Sequence, residues 1–151
     1  MVRSRCHALC LGAVVAALPL GSLHADEGTS TIKIMVTNAE DASGHVRVSV
    51  FSGSEGFPGK RKYALKTAST TVQGSKAFVT VKDLPPGEYA VAVLHDQNDN
   101  GRMDTNAVGI PKEGWGVSLN KAPLIRAPRY SEAKFRLEPG QERSLVIKLR
   151  Y

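Results

Sequence analysis

Hydrophobic and polar residues alternate with a period of two along most of the chain after residue 25, and apolar residues do not repeat there at the helical spacing of 3.6. The first two alternating runs each place three apolar residues on one face: Ile32, Ile34 and Val36, then Val46, Val48 and Val50. Residues 38–44 between them are rich in turn formers. The pattern predicts two strands that form an opening hairpin.

Two shorter runs follow at residues 69–72 and 77–81. The four residues between them, 73–76, include a glycine and polar side chains suited to a turn. We therefore expect a second strand pair here. Residues 63–66, which precede this pair, are predicted to form a short helix or an irregular extension.

A turn at residues 83–88 comes before the most apolar run of the chain. Its two prolines preset φ, and its glycine can take a positive φ. Residues 89–94 are apolar on both faces, which predicts a central strand that is covered on both sides. The last two predicted strands are residues 133–137 and 144–149, and residues 138–141 join them with a Pro-Gly turn.

About seven short strands with tight turns and no long helix predict an all-β fold, a two-sheet sandwich of immunoglobulin-like or transthyretin-like type. One stretch does not fit a minimal sandwich, because about 35 residues from Asp96 to Ser131 have no clear strand or helix pattern. Loops of this length in a compact domain are usually functional or disordered. The apolar and aromatic residues within this one argue against plain disorder.

The start of the chain predicts export. The first 25 residues have a basic beginning with Arg3 and Arg5, an apolar run at residues 8–20, and an end of small residues. This is typical of a cleaved secretory signal peptide. The apolar run is shorter than the roughly 20 residues that a membrane helix needs. We expect a periplasmic or secreted protein, not an integral membrane protein, with one β-sandwich domain at residues 26–151.

Composition excludes several kinds of site. Both cysteines, Cys6 and Cys10, lie in the signal peptide, so the mature chain has no thiol for a disulfide, a nucleophile or a cysteine metal site. The chain has 20 basic and 14 acidic residues, and loss of Arg3 and Arg5 leaves 18 basic residues and a net charge of +4. This mild basicity is typical of a soluble domain. Because the protein is exported, we expect no nucleic-acid partner and predict solvated side chains for the basic residues at 60–62, Arg126 and Arg129.

A candidate calcium loop opens the long unpatterned stretch. Oxygen-bearing side chains recur there at every second position, before Gly101 at the sharp turn. The proposed ligands are the side chains of Asp96, Asn98, Asn100 and Asp104 and the backbone carbonyl of Arg102. The twelfth position holds Ala107 instead of a bidentate glutamate, so Asn106, Glu113 or water must supply a further oxygen. We expect weak calcium binding, with a dissociation constant of roughly 10⁻⁴ to 10⁻³ M, as in extracellular modules.

A metal-free interpretation of the same loop is a serious rival. Asp and Asn side chains commonly accept hydrogen bonds from their own backbone in turns, and they need no ion to do so. A strand precedes this loop, so it is not a regular EF-hand. Both interpretations stay open from the sequence.

At this point the residues resemble a known family. Five blocks carry the resemblance, and they occur in the family's order: residues 44–51, 56–58, 84–93, 95–106 and 109–116. They are similar to the bacterial exported family called domain of unknown function 2141. The resemblance implies an exported β-sandwich and carries no established activity. After Trp115 the chain departs from the family pattern: members usually have a phenylalanine followed by Ser-Asn-Asn, and this chain has Gly116-Val117-Ser118-Leu119-Asn120.

Three further residues are candidates for chemistry. His95 beside Asp96 could act as a base or a metal ligand, or it could orient the loop by hydrogen bonding, which we favour. Trp115, with Glu113 near it, forms a possible ligand surface if exposed and an anchor for the loop if buried. The chain has no G-x-S-x-G motif and, once mature, no cysteine, so the sequence indicates no nucleophilic catalysis.

The sequence therefore favours an exported, non-enzymatic binding or structural module of the cell envelope with a calcium-stabilised loop. Its partner would be an unidentified envelope or extracellular ligand. One alternative is a metal-assisted hydrolase that uses His95 and Asp96. Another is an accessory protein for envelope assembly.

Overall fold

The computed structural model describes residues 28–121, 123 and 125–151, so the predicted signal peptide and both cysteines lie outside the described residues. Eight strands are present: β1 Ser30–Thr37, β2 His45–Phe51, β3 Lys66–Thr70, β4 Lys76–Leu84, β5 Gly87–Asp96, β6 Gly114–Val117, β7 Phe135–Leu137 and β8 Glu142–Lys148. The helical elements are short: 3-10 turns at Arg61–Tyr63 and Ser118–Asn120, and α1 at Tyr130–Ala133.

The strands form two sheets, which confirms the predicted all-β sandwich. The smaller sheet has the order β4-β1-β8, with β1 antiparallel to β4 and parallel to β8. The larger sheet has the order β3-β2-β5-β6, and its neighbouring strands are antiparallel. The long strand β5 also pairs with β7 through its first residues, 87–89, and with β6 through residues 92–95. As predicted, β5 is central and buried on both faces.

The main core lies between the sheets and is built from the alternating positions of the sequence pattern. The inward side chains of β1 and β2 are almost fully buried: Ile32, Ile34, Val36, Val46, Val48 and Val50. Burial of each such side chain is worth about 1.5–3 kcal/mol. A second, smaller cluster of Phe51, Ala90, Ala92, Val117 and Ala133 lies on the opposite face of the larger sheet.

The predicted pairing of consecutive strands is wrong in two places. β1 and β2 do not form a hairpin, because β1 pairs with β4 and β8 while β2 pairs with β3 and β5. Likewise β3 and β4 lie in different sheets. In both cases the turn crosses between the sheets, so that the apolar faces of the two strands meet across the core and are both buried. Positive φ angles at Asn38 (67°) and Gly44 (57°) bracket the first crossing.

The remaining boundaries differ in smaller ways. Residues 63–66, expected as a short helix or an extension, are the end of a 3-10 turn and the start of β3. Ala133, predicted to begin a strand, is the last residue of α1, and β7 begins at Phe135. The chain has eight strands instead of about seven, because β6 lies inside the long stretch that has no sequence pattern.

Candidate functional site

The outer face of the larger sheet carries a cleft. Two rows of side chains from β2, β5 and β6 form its floor, and in each row the three residues are cross-strand neighbours. The rows are Arg47, Leu94 and Trp115, and Ser49, Ala92 and Val117. Because alternate side chains of a strand point to opposite faces, these residues face away from the main core.

Three connections form the walls of the cleft. Each of them follows one of the floor strands: residues 52–65 after β2, 97–113 after β5, and residues 123 and 125–128 after β6. The enclosed volume is about 730 Å³. Loops that follow the strands of a rigid sheet are where binding sites commonly lie.

Large apolar side chains stand exposed on two of these walls. Val108 is 79% exposed, Ile110 is 58% exposed and Ile125 is 97% exposed, and all three line the cleft. Trp115, the single tryptophan of the chain, lies half-buried in the floor. Clustered exposed apolar residues of this kind are typical of interaction sites.

The charge in the cleft is all of one sign. Its lining contains four arginines and no acidic residue: Arg47, Arg61, Arg102 and Arg126. Two of them have carboxylate partners. Arg47 is paired with buried Asp96 and with Asp99, and Arg126 donates two hydrogen bonds, of 2.8 and 2.6 Å, to Glu132.

The other two arginines differ from each other. The charge of Arg102 lies close enough to Asp104 to contribute, after the hydrogen bonds from Asn100 and Asn98, to the lowered pKa of that carboxyl, whereas no such effect involves Arg61 among the described residues. Within the part of the chain that the structure describes, no side-chain hydrogen bond or ion pair is formed by Arg61 or Arg102. Arg61 lies half-buried in its 3-10 turn and Arg102 is exposed on the opposite wall. From the sequence, solvated side chains are predicted for the basic residues at 60–62, Arg61 among them, and the backbone carbonyl of Arg102 is a proposed calcium ligand.

Asp96 fixes the root of the candidate calcium loop. Its carboxylate is fully buried and accepts the backbone N–H of Asn100 (3.1 Å) and that of Gly101 (2.8 Å). It also accepts a hydrogen bond from Nε of Arg47 on the neighbouring strand. The charge and both oxygens of this side chain are therefore satisfied by the protein itself.

The other predicted ligands lie together in the same loop. Asn98 Nδ2 donates to Asp104 Oδ2 (2.7 Å), and Asn100 Nδ2 donates to Asp104 Oδ1 (2.9 Å). These hydrogen bonds from Asn100 and Asn98 lower the pKa of Asp104. The amide oxygen of Asn98 accepts the N–H of Asn100 (3.1 Å), and that of Asn100 accepts the N–H of Arg102 (2.9 Å).

This geometry is the one that the metal-free interpretation predicts, since each Asn turns an N–H, not an oxygen, toward Asp104. Among the described residues, no group of three or more His, Cys, Asp or Glu side chains is placed to hold a metal ion. Binding of calcium would require the amides of Asn98 and Asn100 to turn their oxygens toward Asp104. Calcium at this loop therefore stays a prediction.

With the cleft and the loop described, the comparison with known families can be given. A family described as an uncharacterized protein conserved in bacteria (DUF2141) matches residues 34–144. The chain belongs to this family. The match confirms the resemblance seen in the sequence, and it includes the whole lining of the cleft. No curated protein and no solved structure matches the chain.

In this DUF2141 domain His95 is fully buried and both of its ring nitrogens are used. Nε2 lies 2.9 Å from the carbonyl oxygen of Ser43, which can only accept, so Nε2 carries the proton. The Tyr151 hydroxyl lies 2.7 Å from Nδ1 and donates to it. His95 thus ties the end of β5 to two other segments, and it orients the loop that begins at the next residue.

The two residues of the possible ligand surface separate in the DUF2141 fold. Trp115 lies in the cleft floor, whereas Glu113 is buried and does not line the cleft. Glu113 accepts the N–H of Gln97 at Oε1 (3.1 Å) and that of Asp104 at Oε2 (2.9 Å). It therefore holds the two arms of the loop together. No helix among the described residues is both long and apolar enough to cross a membrane.

Proposed function

We propose that this protein is an exported, non-enzymatic binding module, periplasmic or secreted, that takes a small and largely apolar ligand in the cleft. The cleft itself carries this proposal. Its volume of about 730 Å³ lies within the range of small-molecule sites. A ligand there would cover the face of Trp115 and the exposed side chains of Val108, Ile110 and Ile125, which otherwise stand in water.

The residues that a hydrolase would need are already engaged in holding the fold. Both nitrogens of His95 are hydrogen-bonded, and the carboxylate of Asp96 is paired with Arg47 and the loop backbone. A general base must reach the proton that it abstracts, and buried His95 does not line the cleft. These contacts favour binding over the alternative of a metal-assisted hydrolase.

The binding proposal is tested with N-phenyl-1-naphthylamine, an uncharged apolar fluorophore that brightens in apolar surroundings. We expect saturable brightening with the wild-type protein. Leu94→Glu, which places a charge on the half-buried floor, should lower the affinity at least tenfold. Phe78→Glu is the matched control, because Phe78 is 58% exposed on the other sheet and should change nothing. Absent saturation, or equal affinity in both variants, would refute a site in this cleft.

We also propose that calcium stabilises the loop at residues 96–106. Support comes from the side-chain amides of Asn98 and Asn100, which lie 2.7 and 2.9 Å from the carboxylate of Asp104, since a cation could gather the same side chains through their oxygens. Weak binding would be sufficient for an exported protein, because extracellular calcium modules have dissociation constants of about 10⁻⁴ to 10⁻³ M.

Melting temperature with and without calcium tests this second proposal. We expect millimolar calcium to raise the melting temperature of the wild-type protein relative to a chelator. Asp104→Ala should remove that rise. Asp83→Asn is the control for loss of a carboxylate, because Asp83 is an exposed aspartate on β4 of the other sheet. Identical melting in calcium and chelator would leave the metal-free interpretation in place.

A further inference from the structure

We infer that the ligand of the cleft is an amphipathic anion, a long-chain carboxylate whose head group is held by Arg61 and whose chain lies on the floor. This inference rests on the proposed function and specifies its ligand class. It comes from the charge of the lining, which is independent of the volume and apolar surface that carry the binding proposal.

The lining holds four positive charges and no negative one, so its own residues do not neutralise it. Arg47 and Arg126 are balanced by carboxylates that lie outside the lining. Of the other two, Arg102 on the wall after β5 lies close enough to Asp104 for its charge to help lower the pKa of that carboxyl. Arg61, on the wall after β2, is therefore the guanidinium of the lining that has no carboxylate partner among the described residues. An arginine that faces an apolar cleft without a counter-ion is well suited to bind an anionic group of a ligand.

The rest of the lining indicates what the anion is attached to. The floor offers Leu94, Trp115 and Val117, and the walls offer three more aliphatic side chains, so hydrogen-bonding groups are few. A ligand that matches this surface has one small charged group and a long apolar part. A carboxylate fits the planar fork of a guanidinium, and the concave floor accommodates a single chain better than a flat membrane surface.

Three ligands with the same chain test the charge: decanoate, 1-decanol and decylammonium. Emission of Trp115, the single tryptophan, reports binding in the floor, and calorimetry gives the affinities. We expect decanoate to bind most tightly and decylammonium most weakly. Arg61 should contribute about three- to tenfold to the affinity for decanoate, the range between an exposed ion pair and a charged hydrogen bond. Added salt should weaken the binding of decanoate and leave the binding of 1-decanol unaffected.

Substitution of the two arginines locates the head group. Arg61→Gln should reduce the affinity for decanoate to that of 1-decanol, whereas Arg102→Gln should reduce it less, because Arg102 already lies near Asp104. Lys82→Gln is the control for loss of a positive charge, because Lys82 is exposed on β4 of the other sheet. It should bind all three ligands as the wild-type protein does. Circular dichroism of each variant establishes that it is folded.

The possible failures are distinguishable. If decanoate and 1-decanol bind equally to the wild-type protein, the anionic head group is wrong and the apolar cleft stands. If decylammonium binds most tightly of the three, the anionic head group is again wrong and the proposal of an apolar cleft is unaffected. If the three ligands and the uncharged fluorophore all fail to bind, both the inference and the proposed function are wrong. Sedimentation of the protein with anionic phospholipid vesicles, without binding of decanoate, would overturn the inference in favour of a membrane surface.

Discussion

Gly44 holds the root of the loop at residues 97–113, and its replacement gives a sharp test of the packing there. Its φ is +57°, and a Cβ at this position would overlap the carbonyl oxygen of Asp96 and lie 2.8 Å from the carbonyl carbon of Gln97. These atoms are backbone, so they cannot move aside without shifting the loop. Gly74 is the matched control, because its φ is +65° and no atom lies within 4 Å of its hypothetical Cβ.

The two glycines separate the cost of the backbone conformation from the cost of the clash. An alanine in the left-handed region costs roughly 1–2 kcal/mol, and this applies to Gly44→Ala and Gly74→Ala alike. Crowding of a packed site adds about 1–3 kcal/mol, which applies to Gly44→Ala alone. We therefore expect losses in the free energy of unfolding of about 1–2 kcal/mol for Gly74→Ala and about 2–5 kcal/mol for Gly44→Ala.

Urea unfolding measures both losses, and binding of the uncharged fluorophore provides a second reading. Because residues 101–111 form one wall of the cleft, Gly44→Ala should also weaken the binding of the fluorophore, whereas Gly74→Ala should not. Equal losses of stability in the two variants would refute the argument, since residue 44 would then act through its φ alone. Unchanged binding in a destabilised Gly44→Ala would show that the wall does not depend on this contact.

Three further predictions concern ion pairs and backbone strain. Arg47→Leu should cost about 3–5 kcal/mol of unfolding free energy in urea, because it leaves the fully buried carboxylate of Asp96 without its cation, and Arg47→Lys should cost less. The hydrogen bond from Arg126 lowers the pKa of Glu132 from 4.5 to about 2, so its stabilising charge is complete above pH 4.5 and is lost as the pH falls through about 2. The difference in urea midpoint between wild type and Glu132→Gln should accordingly close between pH 4.5 and pH 2, and a constant difference would contradict the assignment. Leu119→Gly should not destabilise and should gain up to about 1 kcal/mol in thermal unfolding, since Leu119 has a φ of 63° and is 42% exposed.

The strands could be predicted from the sequence, but their partners could not. Alternation fixes which side chains of a strand are buried, and β1, β4 and β8 follow it closely. It carries no information about the neighbouring strand. A short turn of Asn and Gly can close a hairpin or cross between sheets, and both solutions bury the same apolar face. The crossing at residues 38–44 is the second solution.

Strand β6 was missed because two of its four residues are glycines. Gly116 faces β8 so closely that a Cβ would lie 2.8 Å from Cγ2 of Ile147 and 3.0 Å from the carbonyl oxygen of Lys148. Gly114 similarly faces the ring of Tyr151. Close packing of β6 removes the side chains that would have produced an alternating pattern. The cleft was missed for the same reason, since one residue of each three-residue floor row, Trp115 or Val117, comes from β6.

The loop is the part of the site that sequence reasoning located, yet the structure gives it a role that spacing could not reveal. The backbone N–H of Arg102 donates to the side-chain oxygen of Asn100, and the side chain of Asn100 donates to Asp104, so the proposed calcium ligands and an arginine of the cleft wall share a single network. If calcium turned the amide of Asn100, the hydrogen bond that holds the backbone of Arg102 would have to change as well. We therefore predict that, if both sites are occupied as proposed, they are coupled. The coupling would be reciprocal, since any factor by which calcium changes the affinity for the ligand is the factor by which the ligand changes the affinity for calcium.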